Sequence, residues 1–483
     1  MYPPDLPLHA LSGEQCAVLA HDRRWRRSGA FHPSLAALTD VRLDRERLAA
    51  ALDRLAARHE ALRTTFHDGP QGPMAALHPH GVHTLAWTDR PGALDDDLRE
   101  IARREVFRPF DVADSTFRFV VVAGRDSTLL QLTAQHAATD ARSNWMLLDQ
   151  LLAEYAAGHD TPVTPPAGSF FPFAAAEAAV VDGPSGDEIR RRHRERLRGA
   201  VTTELLTDRP RPAASEQLGA TVKVAVEGAD LDAVRRAAQE CEVTLYAYLL
   251  ACFEAFLVQS VGEPDVVLGC VVSARTPRMR DVVGFFANVV PVRCAPAPAE
   301  SFRSLARRAA DDVRDAVALV RFPGSRLIAE GILPPTRSGL TGCRVKFNYL
   351  GSARPEPLLD ALLRMDGATP VRAHGLDLRV VELPQLGGAH VDLAVHVLAG
   401  TGRVLVEFRY DPELFLHTTM QRLAQRYVAL LRAAADDVDR PALGCPGDEP
   451  AGRPGADVVR VDAVRVEADQ VGSGRVGAGR VGA

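Results

Sequence analysis

TLLQLTAQHAATDARSNWMLLDQLLAEYAA, residues 128–157, reads as a strand, a loop and a helix. Thr128–Thr133 is a short β-prone apolar run of the kind that forms a buried strand. Ser143 can cap a helix, and Met146, Leu147, the Asp149–Leu152 run and Tyr155 recur after it at helical spacing. The loop between them, Gln135–Arg142, carries the imidazole of His136 and, four positions on, the carboxylate of Asp140. Backbone pinned on both sides can aim a side chain, so this junction is where chemistry is expected. The plainer reading of His136 alone is a satisfied histidine at a strand end.

At 483 residues the chain exceeds one ordinary core and suits two lobes with extras. Apolar residues at 46% and charged residues at 25% are those of a globular chain, and a net charge of −5 offers no general attraction to nucleic acid or anionic membrane. Only Lys223 and Lys346 are lysines; with the wealth of Ala and Arg, this reads as coding bias. The opening MYPPDLPLHALSGEQ lacks a basic region followed by an apolar core, so no secretory signal is expected. The longest apolar stretch, 244–261, is interrupted by Glu254 and Gln259 and is too short and polar to span a bilayer. The seven cysteines are scattered and show no CxxC spacing. A cytoplasmic, reduced, metal-free protein, monomeric and without nucleic-acid or membrane partners, is the resulting expectation.

Elsewhere the pattern is orderly. Asp44 can cap a helix to about His59. In RHEALRTTF, residues 58–66, an HExxH zinc pattern fails because Arg63 occupies its last position. His78, His80 and His83 fall in a Pro/Gly turn and read as a loop rather than a metal site. The charge run IRRRHRERLR, 189–198, reads as a solvated helix face, with an acidic-partner dock as the other possibility. Asp230 or Asp232 can open one helix and Thr244 a second, buried one, while 264–275 and 282–293 are β-branched runs. From 441 to 483 a Gly/Arg/Val/Ala composition has no means of building a core, and a disordered tail is expected there. Neither a P-loop nor a G-x-S-x-G elbow occurs.

QHAATDARS, 135–143, resembles the HHxxxDG motif of non-ribosomal peptide synthetase condensation domains and their acyltransferase relatives. His136 falls on the catalytic histidine and Asp140 on the motif aspartate; Gln135 replaces the first histidine and Ala141 the glycine. Further matches follow in family order: Ser12 and Gln15 in the opening motif, RHEALRTTF, FRPFDV at 107–112, Arg275 with VVGFFANVVPVR at 282–293, and FNYLG at 347–351. The EGHGRE phrase of related epimerisation domains is absent.

The resemblance implies an α/β fold of two chloramphenicol-acetyltransferase-like lobes in a V with a central tunnel. The expected units are an N-terminal lobe at 8–180 carrying the active-site loop and a C-terminal lobe at 186–440, followed by the tail. It implies a free-standing condensation enzyme, in which an amine attacks a carrier-protein-bound acyl or aminoacyl thioester to form an amide. Ester formation, use of acyl-coenzyme A, and a catalytically silent recruitment module are the alternatives. His136 is then the catalytic residue, with Asp140, Arg275, Arg63 and Gln135 structural around it; Arg63 would brace the loop and Arg275 would pair with Asp140. Ala141, Arg142, Ser143 and Asn288 would contact substrate, and Arg142 hints at a polar or carboxylate-bearing acceptor. No bound cofactor or metal is implied, because the acyl group arrives on phosphopantetheine. The partners are carrier proteins, other synthetase modules and a small-molecule amine.

Overall fold

The computed structural model describes residues 5–24, 29–69, 72–158, 168–212, 215, 219–351, 359, 363, 369–384 and 391–444. In chain order the first half forms β1 (Leu8–Ala10), α1 (Gly13–Arg24), β2 (Ser34–Thr39), α2 (Arg45–Arg58), β3 (Thr64–Gly69), β4 (Gly72–Leu77), β5 (Thr84–Asp89), α3 (Asp95–Val106), β6 (Phe117–Ala123), β7 (Thr128–Ala134), α4 (Ala141–Ala157), α5 (Phe171–Val181) and α6 (Pro184–Arg196). The second forms β8 (Ala220–Glu227), α7 (Gly228–Glu240), α8 (Leu245–Val261), β9 (Val266–Ser273), β10 (Ala287–Cys294), α9 (Phe302–Leu319), α10 (Gly324–Ala329), β11 (Val345–Gly351), β12 (Val371–Ala373), β13 (Leu376–Val380), β14 (Leu393–Ala399), β15 (Arg403–Tyr410) and α11 (His417–Asp436).

Two six-stranded sheets organise the chain, in the orders β12-β13-β2-β7-β6-β5 and β10-β9-β11-β14-β15-β8. β7 runs antiparallel to both β2 and β6 and is covered on both faces, so that all seven of its residues, Thr128, Gln131 and Thr133 included, are buried. Leu130 and Leu132 enter a core with α2 and α4 residues such as Leu52 and Leu148; Leu129 enters another with Leu98 and Ala102 of α3. In the second half, α8 is buried all round from Ala247 to Val258, as a helix apolar on more than one face must be. It packs between α9 and α11 over the inner face of the second sheet.

The caps explain where helices start. Asp44 accepts from Arg47 N at 2.8 Å, Thr244 from Ala247 N at 3.2 Å and Ser301 from Ser304 N at 3.2 Å. Ser12 and Gln15 form a reciprocal capping box at the head of α1, with Ser12 N to Gln15 Oε1 at 3.0 Å and Gln15 N to Ser12 Oγ at 3.2 Å. Two expected starts move. α4 begins at Ala141 because Asp140, not Ser143, is its cap, and α7 begins at Gly228 without a side-chain cap, ahead of Asp230 and Asp232.

Two further expectations are revised, and for 189–198 the solvated-face reading is kept over the acidic-partner dock. Leu376–Val380 was assigned by sequence to the second unit, yet β13 pairs with β2 of the first sheet, so a boundary near 180–186 does not separate the sheets. Residues 441–444, counted with the tail, are held: Pro441 bridges Ser301 and Ala442 N donates to Glu300 O at 2.7 Å; the rest of the expected tail lies outside the described residues. The arginines of α6 are largely engaged by the chain's own acids: Arg190 with Glu330 at 2.7 Å, Arg191 with Glu188 and Glu195 at 2.6 and 2.7 Å, and Arg196 with Asp312 and Asp315. A helix so neutralised is a solvated face and offers little to an acidic partner. No single described helix is long and apolar enough to cross a membrane.

α5 anchors α1 through Glu177, whose Oε1 accepts from Gly13 N at 2.7 Å. Burial pushes the Glu177 carboxyl up to about 7, against the lowering effect of that hydrogen bond. A folded pKa raised above the unfolded one stabilises fully below the unfolded value near 4.3, and this is lost as pH rises towards 7. Glu177→Gln keeps an acceptor for Gly13 and removes the charge. Its melting temperature is expected to match the parent at pH 4.5 and exceed it progressively to pH 7.5, by up to about 3 kcal/mol in stability.

Candidate active site

β7 ends at Ala134, and the chain turns through a single 3-10 turn, His136–Ala138, before α4. The turn is pinned by backbone: Gln135 N to Thr116 O at 2.9 Å, His136 N to Phe31 O at 2.9 Å and Thr139 N to His136 O at 3.3 Å. Gln135 is wholly buried, and its Oε1 accepts from Ala137 N at 2.6 Å, so the amide does the local work of a turn cap. Its Nε2 is buried without a partner among the described residues. From the other side, Gln15 Nε2 donates to Ala137 O at 2.7 Å, tying the capping box of α1 to the same turn.

His136 is partly exposed, and its Nδ1 lies 2.8 Å from the carbonyl oxygen of Thr139. A carbonyl can only accept, so Nδ1 carries a proton, and in the neutral ring it is Nε2 that keeps its lone pair. The ring sits against Phe285, with centroids 4.9 Å apart. Thr139 is itself fixed, its hydroxyl donating to Asn144 Oδ1 at 2.8 Å. The imidazole is therefore held in one orientation, set by the backbone that follows it.

Asp140 is 9% exposed at its side chain and Arg275, from the segment after β9, is 6% exposed. Arg275 Nη2 donates to both carboxylate oxygens, at 3.2 and 3.1 Å, and to Ser143 Oγ at 2.9 Å. Asp140 also accepts from Ser143 N at 2.8 Å and Phe286 N at 3.2 Å. Ser143 Oγ closes the clamp, donating to Gly284 O at 3.0 Å and accepting from Gly284 N at 3.2 Å. Arg275 Nη1 reaches Met279 O at 3.0 Å and Val282 O, and the guanidinium lies 4.1 Å over the Phe286 ring. Burial lowers the Arg275 pKa and Asp140 opposes the shift; an arginine stays charged regardless. Gly284 is needed for close approach, since a Cβ there would stand 2.4 Å from the Phe170 ring.

The segment 282–286 alternates between two cores. Val283 and Phe285 join the first-half core, whereas Val282 and Phe286 join the second. Period-two alternation of an extended chain thus laces the halves together beside His136.

The structure gathers His136, Gln135, Asp140, Ala141, Arg142, Ser143 and Arg275 at the head of α4 and separates the other two. Arg63 does not reach the loop: Nε donates to Ala56 O and Nη1 to His78 O, both at 3.0 Å, so it ties α2 to the turn at His78. Asn288 is buried among backbone, donating to Val320 O and Phe322 O at 2.7 and 2.8 Å and accepting from Gly324 N at 2.9 Å, so it joins α9 to α10 and has no face for substrate. Ser143, fully buried and fully hydrogen-bonded, is likewise part of the clamp and not a substrate contact. Ala141 is the first residue of α4 and is not among the positive-φ residues, so alanine costs nothing here in backbone strain. Arg142 is exposed at the helix start. Sequence reasoning did not assign Gln15, Thr139 or Phe285; for Gln15 the Ser-x-x-Gln pattern was the available signal. Of His59 in the failed HExxH, Nε2 meets Gln150 Oε1 at 2.6 Å and burial brings its pKa down to about 4, a structural histidine; no group of His, Cys, Asp and Glu suited to a metal occurs among the described residues.

Residues 9–442 match the family model described as "Condensation domain". Among curated proteins the chain is 30% identical over 417 residues to phosphinothricin tripeptide synthetase PhsB of Streptomyces viridochromogenes and 30% identical over 404 residues to PhsC of the same organism. These matches take in 82% and 81% of this chain but only 33% and 36% of those proteins. Among solved structures it is similar to a four-domain nonribosomal peptide synthetase, AB3403, bound to AMP and glycine (TM-score 0.79, 18% identity, 92% of this chain and 34% of that one). It is also similar to the X-domain in complex with OxyB from teicoplanin biosynthesis (TM-score 0.74, 22% identity, 92% and 96%).

Removing one partner of the clamp strands a buried charge. Arg275→Met is expected to cost about 3–5 kcal/mol in chemical denaturation, and the double variant Asp140→Leu/Arg275→Met to cost less than the two single changes summed.

Proposed function

Because the chain belongs to the condensation-domain family, we propose that it is an acyltransferase joining an acyl or aminoacyl group, carried as a thioester on phosphopantetheine, to the nitrogen of a small amine. The amine attacks the thioester carbonyl, the C–N bond forms, the C–S bond breaks, and the thiol leaves on the carrier. The observation that carries this reading is the single hydrogen bond from His136 Nδ1 to Thr139 O, which leaves Nε2 as a base directed away from its own loop. In this reading His136 takes the proton of the attacking nitrogen. Asp140, Arg275 and Gln135 act only by holding the turn, and Ala141 and Arg142 face the acceptor. Backbone N–H groups at the head of α4 help hold the oxyanion of the tetrahedral intermediate.

The architecture that suits this chemistry is two acetyltransferase-like lobes, 8–180 and 186–440 with β13 lent to the first sheet, set in a V. The substrates would meet at His136 in a tunnel between the lobes. Carrier proteins and other synthetase modules are the macromolecular partners in this proposal, and the cytoplasm is the compartment. A hydroxyl acceptor, or coenzyme A as thiol carrier, would use the same base.

A second reading has an observation behind it. The X-domain, of which this chain covers 96%, was solved in complex with OxyB, and a chain of the same fold can serve to hold a partner rather than to catalyse. Untargeted mass spectrometry of a deletion strain, complemented with the parent protein or with His136→Ala, separates the two. Loss of about 10²-fold or more of the product with a folded His136→Ala variant is expected. Equal restoration by both proteins would replace catalysis by recruitment.

A further inference from the structure

The chain's two lysines, Lys223 and Lys346, lie on the same face of the same sheet. In β11 the alternation V-K-F-N-Y-L sends Val345, Phe347 and Tyr349 towards the second core and turns Lys346, Asn348 and Leu350 to the other face. Strand register then aligns a polar row across four strands, Asn348, His396, Glu407 and Lys223, with Lys346 and Arg409 in the row beside it. This face is turned to the first half of the chain. The next row, Leu350, Leu398 and Leu405, packs against Trp145 of α4, one turn beyond Ala141. At the other end Lys346 feels Glu14 and acts on His21, both on α1, the helix that braces the His136 turn through Gln15.

Most charges on this face are already matched. Glu407 accepts from Arg409 Nη2 at 2.6 Å and lies 3.6 Å from Lys223 Nζ, and Lys223 donates to Glu382 at 2.6 Å. Glu14 spends an oxygen on Ser325 N at 2.7 Å. Lys346 has no hydrogen bond or ion pair among the described residues, and burial lowers its pKa. Beside it, Asn348 Nδ2 lies 3.1 Å from His396 Nδ1; if it donates there, the His396 proton sits on Nε2, which likewise has no partner among the described residues. Burial, Arg409 and Lys346 hold the His396 pKa well below the usual histidine range, so this imidazole stays neutral. Lys346 and His396 are both half-buried and keep some accessible surface. An ammonium partly withdrawn from water favours a counter-charge.

We propose that Lys346, with the Nε2–H of His396, binds a carboxylate of the acceptor, so that the amine joined by this protein belongs to an acid such as an amino acid. The inference rests on the acyltransferase reading for the word acceptor; the anion site itself does not. One positive charge unmatched among the described residues, beside one neutral donor, fits a monoanion better than a phosphate dianion.

The lysine scarcity supplies the test. Full-length protein labelled with 13Cε-lysine has two lysine signals, assigned with Lys346→Gln and, should that variant fail to fold, with Lys223→Gln. Titration with sodium acetate or glycine at constant ionic strength is expected to move the Lys346 signal saturably and leave Lys223 still, while acetamide moves neither. Both lysines drifting together, no movement, or an equal response to acetamide would overturn the site. A response to inorganic phosphate without one to acetate would overturn the carboxylate and point to a phosphoryl group. The same titration on His136→Ala is expected to be unchanged, so a failure of catalysis and a failure of the anion site are read separately.

Discussion

The carboxylate of Asp140 is the point on which the rest of the structure depends. It caps α4, receives Arg275 from the other half of the chain and takes the Phe286 amide. One buried group thus sets where the helix begins, how the turn bearing His136 ends, and where the 282–286 segment lies. Buried ion pairs contribute little net stability once desolvation is counted. The return here is geometric, because the partners of Asp140 come from sites far apart in sequence and each has only one arrangement that leaves no charge unmatched.

That constraint separates the residues that hold the turn from His136, the residue to which the proposed function gives the proton transfer. Asp140 is too engaged to relay a proton: its two oxygens receive four hydrogen bonds, from Arg275 twice, Ser143 and Phe286. His136 is oriented instead by the carbonyl of Thr139, a backbone group that no side-chain substitution can remove. The loss of the first motif histidine is tolerable on the same logic, since Gln135 supplies an acceptor for Ala137 N. The loss of the motif glycine is tolerable because α4 begins at that residue.

Much of this was legible in the sequence. The strand β7, the His136 loop and the buried α8 follow from periodicity and capping, and the Asp140–Arg275 pair from what the family resemblance implies. What escaped has a common physical cause. Leu376–Val380 reads as any short strand, and nothing local says that its partner is β2, some 340 positions earlier. Asn288 and Ser143 carry the residue types of a binding site, yet both are consumed by backbone groups from distant segments. Arg63 sits in a well-marked motif, but its reach is decided by where α2 ends. The polar row on the second sheet is visible only once register places Asn348, His396, Glu407 and Lys223 side by side.

The lacing at 282–286 bears on how such chains can be recombined. A chimera cut between α5 and α6, at 182–183, takes its first half from one parent and its second from another. Val283 and Phe285 would then arrive with the second parent while the core that receives them came from the first. β13 would bring the same mismatch against β2. The inheritable unit that contains the His136 environment is therefore discontinuous: the first half together with two short inserts, around 283–285 and 376–380, carried inside its neighbour.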